Sequence, residues 1–233
     1  MSYVDYFKFE NKDLDFPVYN KNPHIPKSGW IVLLIAMIVG YFMQGLFDNE
    51  MLGGILFCFI ILIPLLYYLK WDIKAIFQKP KAKEVALAVA LFAGYIIYSI
   101  VMGSVLEFFS LNGSEILDAS TLTLANVPPL VFSLMGEEFL KLIPFLFFLR
   151  LFYKYTDNRK GSVIASMLVV MVFFGLLHLM DLQSLPSVLL MQGFGSIFEF
   201  YGYIKTKNVF ISYITHLCTD VFLFLLIIFN VGI

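Results

Sequence analysis

Glu137 and Glu138 stand side by side, with Lys141 three to four positions further on, inside the stretch VPPLVFSLMGEEFLKLIPFLFFLRLFY. The remainder of that stretch is apolar enough to cross a bilayer, where each charge costs at least ~2.5–3.5 kcal/mol, so charged residues there are functional candidates by default. His178 closes the apolar run VVMVFFGLLH. His216 and Asp220 lie four positions apart in SYITHLCTDVF and therefore share one helix face. A carboxylate, two imidazoles and a further acid, brought together away from bulk water, could activate a water molecule. They could also stabilise the oxyanion formed when that water attacks an amide. No serine sits in a nucleophile elbow, and no local signature pairs Cys58 or Cys218 with a histidine, so covalent serine or cysteine chemistry has no support. Glycine-rich phosphate loops are missing as well.

Each of these residues also has a plainer reading. Lys141 stands at i+4 from Glu137 and i+3 from Glu138, so it can neutralise either acid along a helix. A lone histidine such as His178 serves interhelical hydrogen bonding in many membrane helices, and His216 with Asp220 can lock two helices. Glu199 reads as reaching the inner interface and pairing with Lys205 or Lys207. Glu107 and Asp181 fall near the outer interface, and the two cysteines read as small core residues.

The elements that must hold these groups are membrane helices. The chain has 233 residues, 60% of them hydrophobic and only 14% charged, with mean hydropathy +0.85. A soluble domain has about 25% charged residues. A net charge of −1 argues against a nucleic-acid partner. Apolar runs near Trp30–Phe47, Met51–Leu69, Val85–Phe109, Pro128–Tyr153, Ser162–Met180, Leu185–Ile204 and Val209–Val231 predict seven spans. All the basic residues but Lys141 fall in the first 29 residues, in the second, fourth and sixth loops or, for Arg150, where the fourth run meets its loop. The positive-inside rule then predicts a cytoplasmic N-terminus and an outside C-terminus. The first 29 residues lack the pattern of a cleavable signal and read as a cytoplasmic tail, partly on the membrane surface. The outer loop Ser110–Val127 reads as a connector or, with its two acids, a polar lid. Fourteen lysines against two arginines fit a bacterial, AT-rich origin. Counting at about 1.5 Å per residue puts Glu137, His178, His216 and Asp220 in the middle to outer half of the bilayer.

Taken in order, Glu137-Glu138-x-x-Lys141, Phe174-x-x-x-His178 and His216-x-x-x-Asp220 resemble the CPBP family, which includes the type II CAAX prenyl endopeptidases, bacteriocin-processing and self-immunity proteins and the Abi proteins. The likeness covers roughly Val127–Phe224. It departs where Leu142 stands in place of the family's arginine, and Glu-Glu-x-x-Lys is similar instead to the PrsW proteases. The resemblance implies an all-α polytopic bundle whose last four spans form a catalytic core (127–233), after the tail (1–29) and peripheral helices with the outer loop (30–126). It implies an intramembrane endopeptidase acting on a peptide or membrane-protein substrate in the bacterial cell membrane. Glu137 would be the general base with His178 as partner, His216 and Asp220 would face the oxyanion, and Glu138 with Lys141 would form a supporting ion pair. The resemblance leans toward metal-free chemistry. A zinc ion on Glu137, His178 and His216 is the alternative, although no His-Glu-x-x-His spacing argues for it. The rival function is a non-catalytic scaffold or self-immunity protein of the same superfamily.

Overall fold

A computed structural model describes residues 5–19, 24–111 and 122–230, which are helical with no strand among them. The helices are α1 (Lys27–Gln44), α2 (Glu50–Tyr68), α3 (Ala82–Phe108), α4 (Leu130–Thr156), α5 (Arg159–Leu177), α6 (Leu185–Val188), α7 (Ile197–Thr206) and α8 (Val209–Ile228). Five of them, α1, α2, α3, α5 and α8, are long and apolar enough to cross a membrane. The chain is therefore a helical membrane protein. α4 is 27 residues long, but Glu137, Glu138 and Lys141 in its middle keep it out of that apolar set. Most of the outer loop, residues 112–121, lies outside the described residues, and with it the reading of that loop as a connector or lid.

The run expected as one span over Leu185–Ile204 is broken. α6 passes into a π turn at Leu189–Gly193 and a 3₁₀ turn at Phe194–Ser196 before α7 begins. Close backbone packing on α5 accompanies the break. A methyl group on Gly193 would lie 2.8 Å from the Met171 carbonyl oxygen, and one on Gly175 would lie 2.9 Å from that of Val188. Hydropathy is blind to such a break because the segment stays apolar throughout.

Two helical hairpins share one turn. Thr156-Asp157-Asn158 joins α4 to α5, and Thr206-Lys207-Asn208 joins α7 to α8. In each, the middle residue is left-handed (φ 49° and 58°) and the asparagine caps the next helix through its side-chain oxygen. The threonine hydroxyl accepts from the asparagine amide at 3.3 Å in both. α4 packs on α2, α5 and α8, which puts its charged middle at the centre of the bundle. Phe57 of α2 covers Gly136, where even a methyl group would lie 2.5 Å from the ring.

The N-terminal segment packs against the bundle. Its described part, residues 5–19, is built into the basic end of the bundle, with Phe16, Val18 and Tyr19 buried. Glu10 is fully covered and pairs with Arg159 at 2.7 Å and Lys207 at 2.5 Å. The Arg159 guanidinium lies over the rings of Tyr6 and Phe16, and the Lys207 amine over Phe16. Burial pushes the Glu10 carboxyl up, but hydrogen bonds from Arg159, Lys207 and the Phe7 amide outweigh it, and the group titrates below the usual carboxylate range. Burial pulls the Lys207 amine down to about 8, against the pull of Glu10 in the other direction. The second loop joins the same end, where the Asn208 side chain donates to the Gln78 carbonyl at 2.9 Å.

Candidate functional site

Adjacent residues on an α-helix point about 100° apart, so Glu137 and Glu138 serve different surroundings. Glu138 turns into the bundle and shares a face with Lys141, which it meets at 2.5 Å. Of the two pairings the spacing allows, the one formed is Lys141 with Glu138. The same ammonium bonds Glu199 of α7, and its nitrogen lies 3.4 Å from His216 Nδ1. Glu138 also accepts from the Ser212 hydroxyl and lies 2.9 Å from His216 Nδ1. Every member of this inner network is buried.

Glu199 corrects the sequence reading. It bonds neither Lys205 nor Lys207: it reaches Lys141 instead, while Lys207 is held by Glu10. Its position on α7 is seven residues from the end of that helix, about 10 Å along the axis. An acid at that depth in an apolar helix was the available signal. Ser212, which lies one turn before His216 on α8, carried no signal in the sequence.

Above the network lies a cavity of about 300 Å³, lined among others by Glu137, His178, His216 and Asp220. His216 connects the two tiers. Its Nδ1 is committed to Glu138, and its Nε2 lies 3.8 Å from both the Glu137 and Asp220 carboxylates. Those separations exceed hydrogen-bond length, leaving the Nε2 edge and both acids open to a small polar molecule. Ser212, His216 and Asp220 follow at four-residue steps, so one face of α8 runs from network to cavity.

His178 caps the end of α5, and its Nδ1 lies 2.9 Å from the Phe174 carbonyl oxygen. A carbonyl only accepts, so Nδ1 carries the proton and, in the neutral ring, Nε2 is left as an acceptor. Among the described residues His178 makes no direct hydrogen bond to Glu137. The Phe174 ring packs on both imidazoles and on the Lys141 ammonium. The π turn adds Gln192 to the cavity wall, where its side-chain oxygen is buried without a partner among the described residues. Single-turn π segments recur at functional sites. The sequence reading passed over Gln192, which lies in a run it took for unbroken helix.

Among the described residues, the ligand-type atoms that converge within 4.8 Å are those of Glu138, Glu199 and His216, not the set Glu137, His178 and His216. Lys141 already supplies the positive charge at that point, bonded to both acids and beside His216 Nδ1. A metal ion would have to displace it, so the donor set fits an ammonium better than zinc.

No protein-family model, curated protein or solved structure matches the chain, so the likeness to the CPBP family rests on its three motifs.

Proposed function

We propose that the chain is a membrane-embedded endopeptidase of CPBP type that hydrolyses a peptide or membrane-tethered protein without a metal. The observation that carries this reading is the orientation of His216. Its Nδ1 faces Glu138, while Nε2 faces a cavity between Glu137 and Asp220. An imidazole tied at one nitrogen to a carboxylate and free at the other is arranged for proton chemistry on a substrate.

In the proposed step, Glu137 takes a proton from a cavity water as the water oxygen attacks the amide carbon. The His178 Nε2 acceptor orients that water. The developing oxyanion takes a hydrogen bond from protonated His216 Nε2, and Asp220 steadies that imidazolium. When the carbon–nitrogen bond breaks, Glu137 returns the proton to the leaving amine. Lys141 and Glu199 act through their neighbours: they hold Glu138, and Glu138 holds His216.

The proposed architecture has seven spans. α4 and the broken segment from α6 to α7 supplement the five apolar helices, and the last four spans form the core. The gathering of the N-terminal segment and the basic loops at one end supports a cytoplasmic location for that end. The cavity, lined by Gln44 near the opposite end of α1, would then face the outer half of a bacterial cell membrane. A cysteine-accessibility map placing 70–83 outside the cell would overturn this topology.

Membrane peptides compared between cells making the parent protein and cells making Glu137→Gln at equal abundance test the activity. Fragments present only with the parent are expected, and identical peptidomes would refute the assignment. One observation favours a rival scaffold role: the inner network satisfies its own charges and could lock α4, α7 and α8 with no substrate at all. The rival predicts that Glu137→Gln keeps the full cellular phenotype.

A further inference from the structure

Toward the start of α1, the helices α1, α4 and α5 enclose an apolar groove of about 680 Å³. Its shape follows from two contacts. Tyr41 of α1 donates to the Leu177 carbonyl at the end of α5 at 2.9 Å, which draws those helices together at one end. Toward the start of α1 they stand apart, with Ile143, Pro144 and Phe147 of α4 between them. The wall from Trp30 to Met37 is apolar, with Ile31 and Leu34 more than half exposed. Lys27 marks the open end and is exposed, with no ion pair among the described residues. The groove is thus an apolar slot about 15 Å long from Lys27 to Met37, with an unpaired cation at its mouth and Trp30 one turn inside. Tryptophan beside lysine is the usual arrangement at headgroup level.

We infer that this groove binds one acyl chain of an anionic phospholipid, drawn from the leaflet at the Lys27 end, with the lipid phosphate on Lys27. The apolar walls accept the chain, and the unpaired ammonium favours a headgroup of net negative charge over a zwitterionic one. One lysine at headgroup level contributes about 1 kcal/mol, or about fivefold in affinity. The inference is independent of the peptidase reading, because no residue that lines the groove also lines the polar cavity.

The chain has two tryptophans, and Trp71 is exposed in the loop after α2, so Trp71→Phe leaves Trp30 as sole reporter. That variant, in nanodiscs of zwitterionic lipid, is titrated with a minor fraction of phosphatidylglycerol or phosphatidylcholine brominated near the ester. Half-quenching of Trp30 is expected at about fivefold lower mole fraction of the anionic lipid. Lys27→Gln should erase that preference and Lys27→Arg should keep it. Lys27 is exposed, so neither change threatens folding. Equal quenching by the two lipids, or a preference that survives Lys27→Gln, would overturn the inference and leave only the ordinary lipid annulus.

Discussion

Two buried charge clusters hold this bundle, and they are near mirror images. At the basic end one acid, Glu10, bridges two cations, Arg159 and Lys207. In the middle of the bundle one cation, Lys141, bridges two acids, Glu138 and Glu199. The difference lies in what surrounds each. Around Glu10 the acids and bases balance, since Asp15 is the second acid on Arg159, and aromatic rings close over the cations. Around Lys141 and the cavity above it four acids, Glu137, Glu138, Glu199 and Asp220, face one lysine and two imidazoles, His178 and the bridging His216. A balanced cluster fastens segments together. A cluster with excess acid that borders a cavity presents unpaired carboxylates to whatever enters.

The largest expected effect comes from removing the cation that serves two acids. Lys141→Met strands Glu138 and Glu199 together and should cost ~3–5 kcal/mol, read as a fall in melting temperature of protein in detergent. Adding Glu199→Gln to that variant should restore part of the loss. A melting temperature equal to the parent's would mean that the network carries no structural weight.

Glu10→Ala probes the mirror cluster. A smaller loss is expected, ~1–3 kcal/mol, because Lys207, already drawn down to about 8, sheds its proton more easily than a second carboxylate is neutralised. Proteolysis within residues 5–19 should accelerate while the cavity residues stay in place. A loss larger than that of Lys141→Met would reverse the ranking of the two clusters.

Packing beside the site comes next. Gly136→Ala puts a methyl group against Phe57 just before the two glutamates, at ~1–3 kcal/mol. Phe57→Leu in the same chain should recover most of it, and the pair of melting curves checks this.

Acidification separates the clusters further. Because the Glu10 carboxyl titrates below its unfolded value, its contribution is complete above the usual carboxylate range and is lost as pH falls through the folded value. Protection of residues 5–19 from protease should therefore hold at neutral pH and fail in acid. Glu10→Gln should remove that dependence, and a profile unchanged by Glu10→Gln would exclude this carboxyl as the cause.

The smallest effect on stability belongs to the residue proposed for the chemistry. Glu137→Gln leaves the inner network intact, so melting should change by no more than about 0.5 kcal/mol while the proposed activity is lost. A large drop in melting temperature would move Glu137 into the structural set.

Much of this arrangement was legible in the chain. Five of the apolar runs end within a few residues of helices able to span, because hydropathy and length report directly on what a bilayer accepts. Four-residue spacing placed His216 and Asp220 on one face, and the structure sets both beside Glu137. What escaped was partnership across distance. Glu199 was matched to its nearest lysines in sequence, whereas its partner lies 58 positions away on another helix. The π turn escaped because a broken apolar segment has the composition of an unbroken one. The docking of the N-terminal segment escaped because a polar, proline-broken stretch looks the same whether it floats or fills a socket.

The reach of Glu10 has a consequence for biosynthesis. Its carboxylate leaves the ribosome well before its partners, since the lysine that completes its socket lies 197 positions later. At roughly 5–20 residues per second the wait is about 10–40 s, and Arg159 arrives well before Lys207. The N-terminal segment can therefore seat fully only after the last hairpin turn has been made. A chain halted or misthreaded before that turn keeps Glu10 short of one of its two cations, and the segment around it only partly seated.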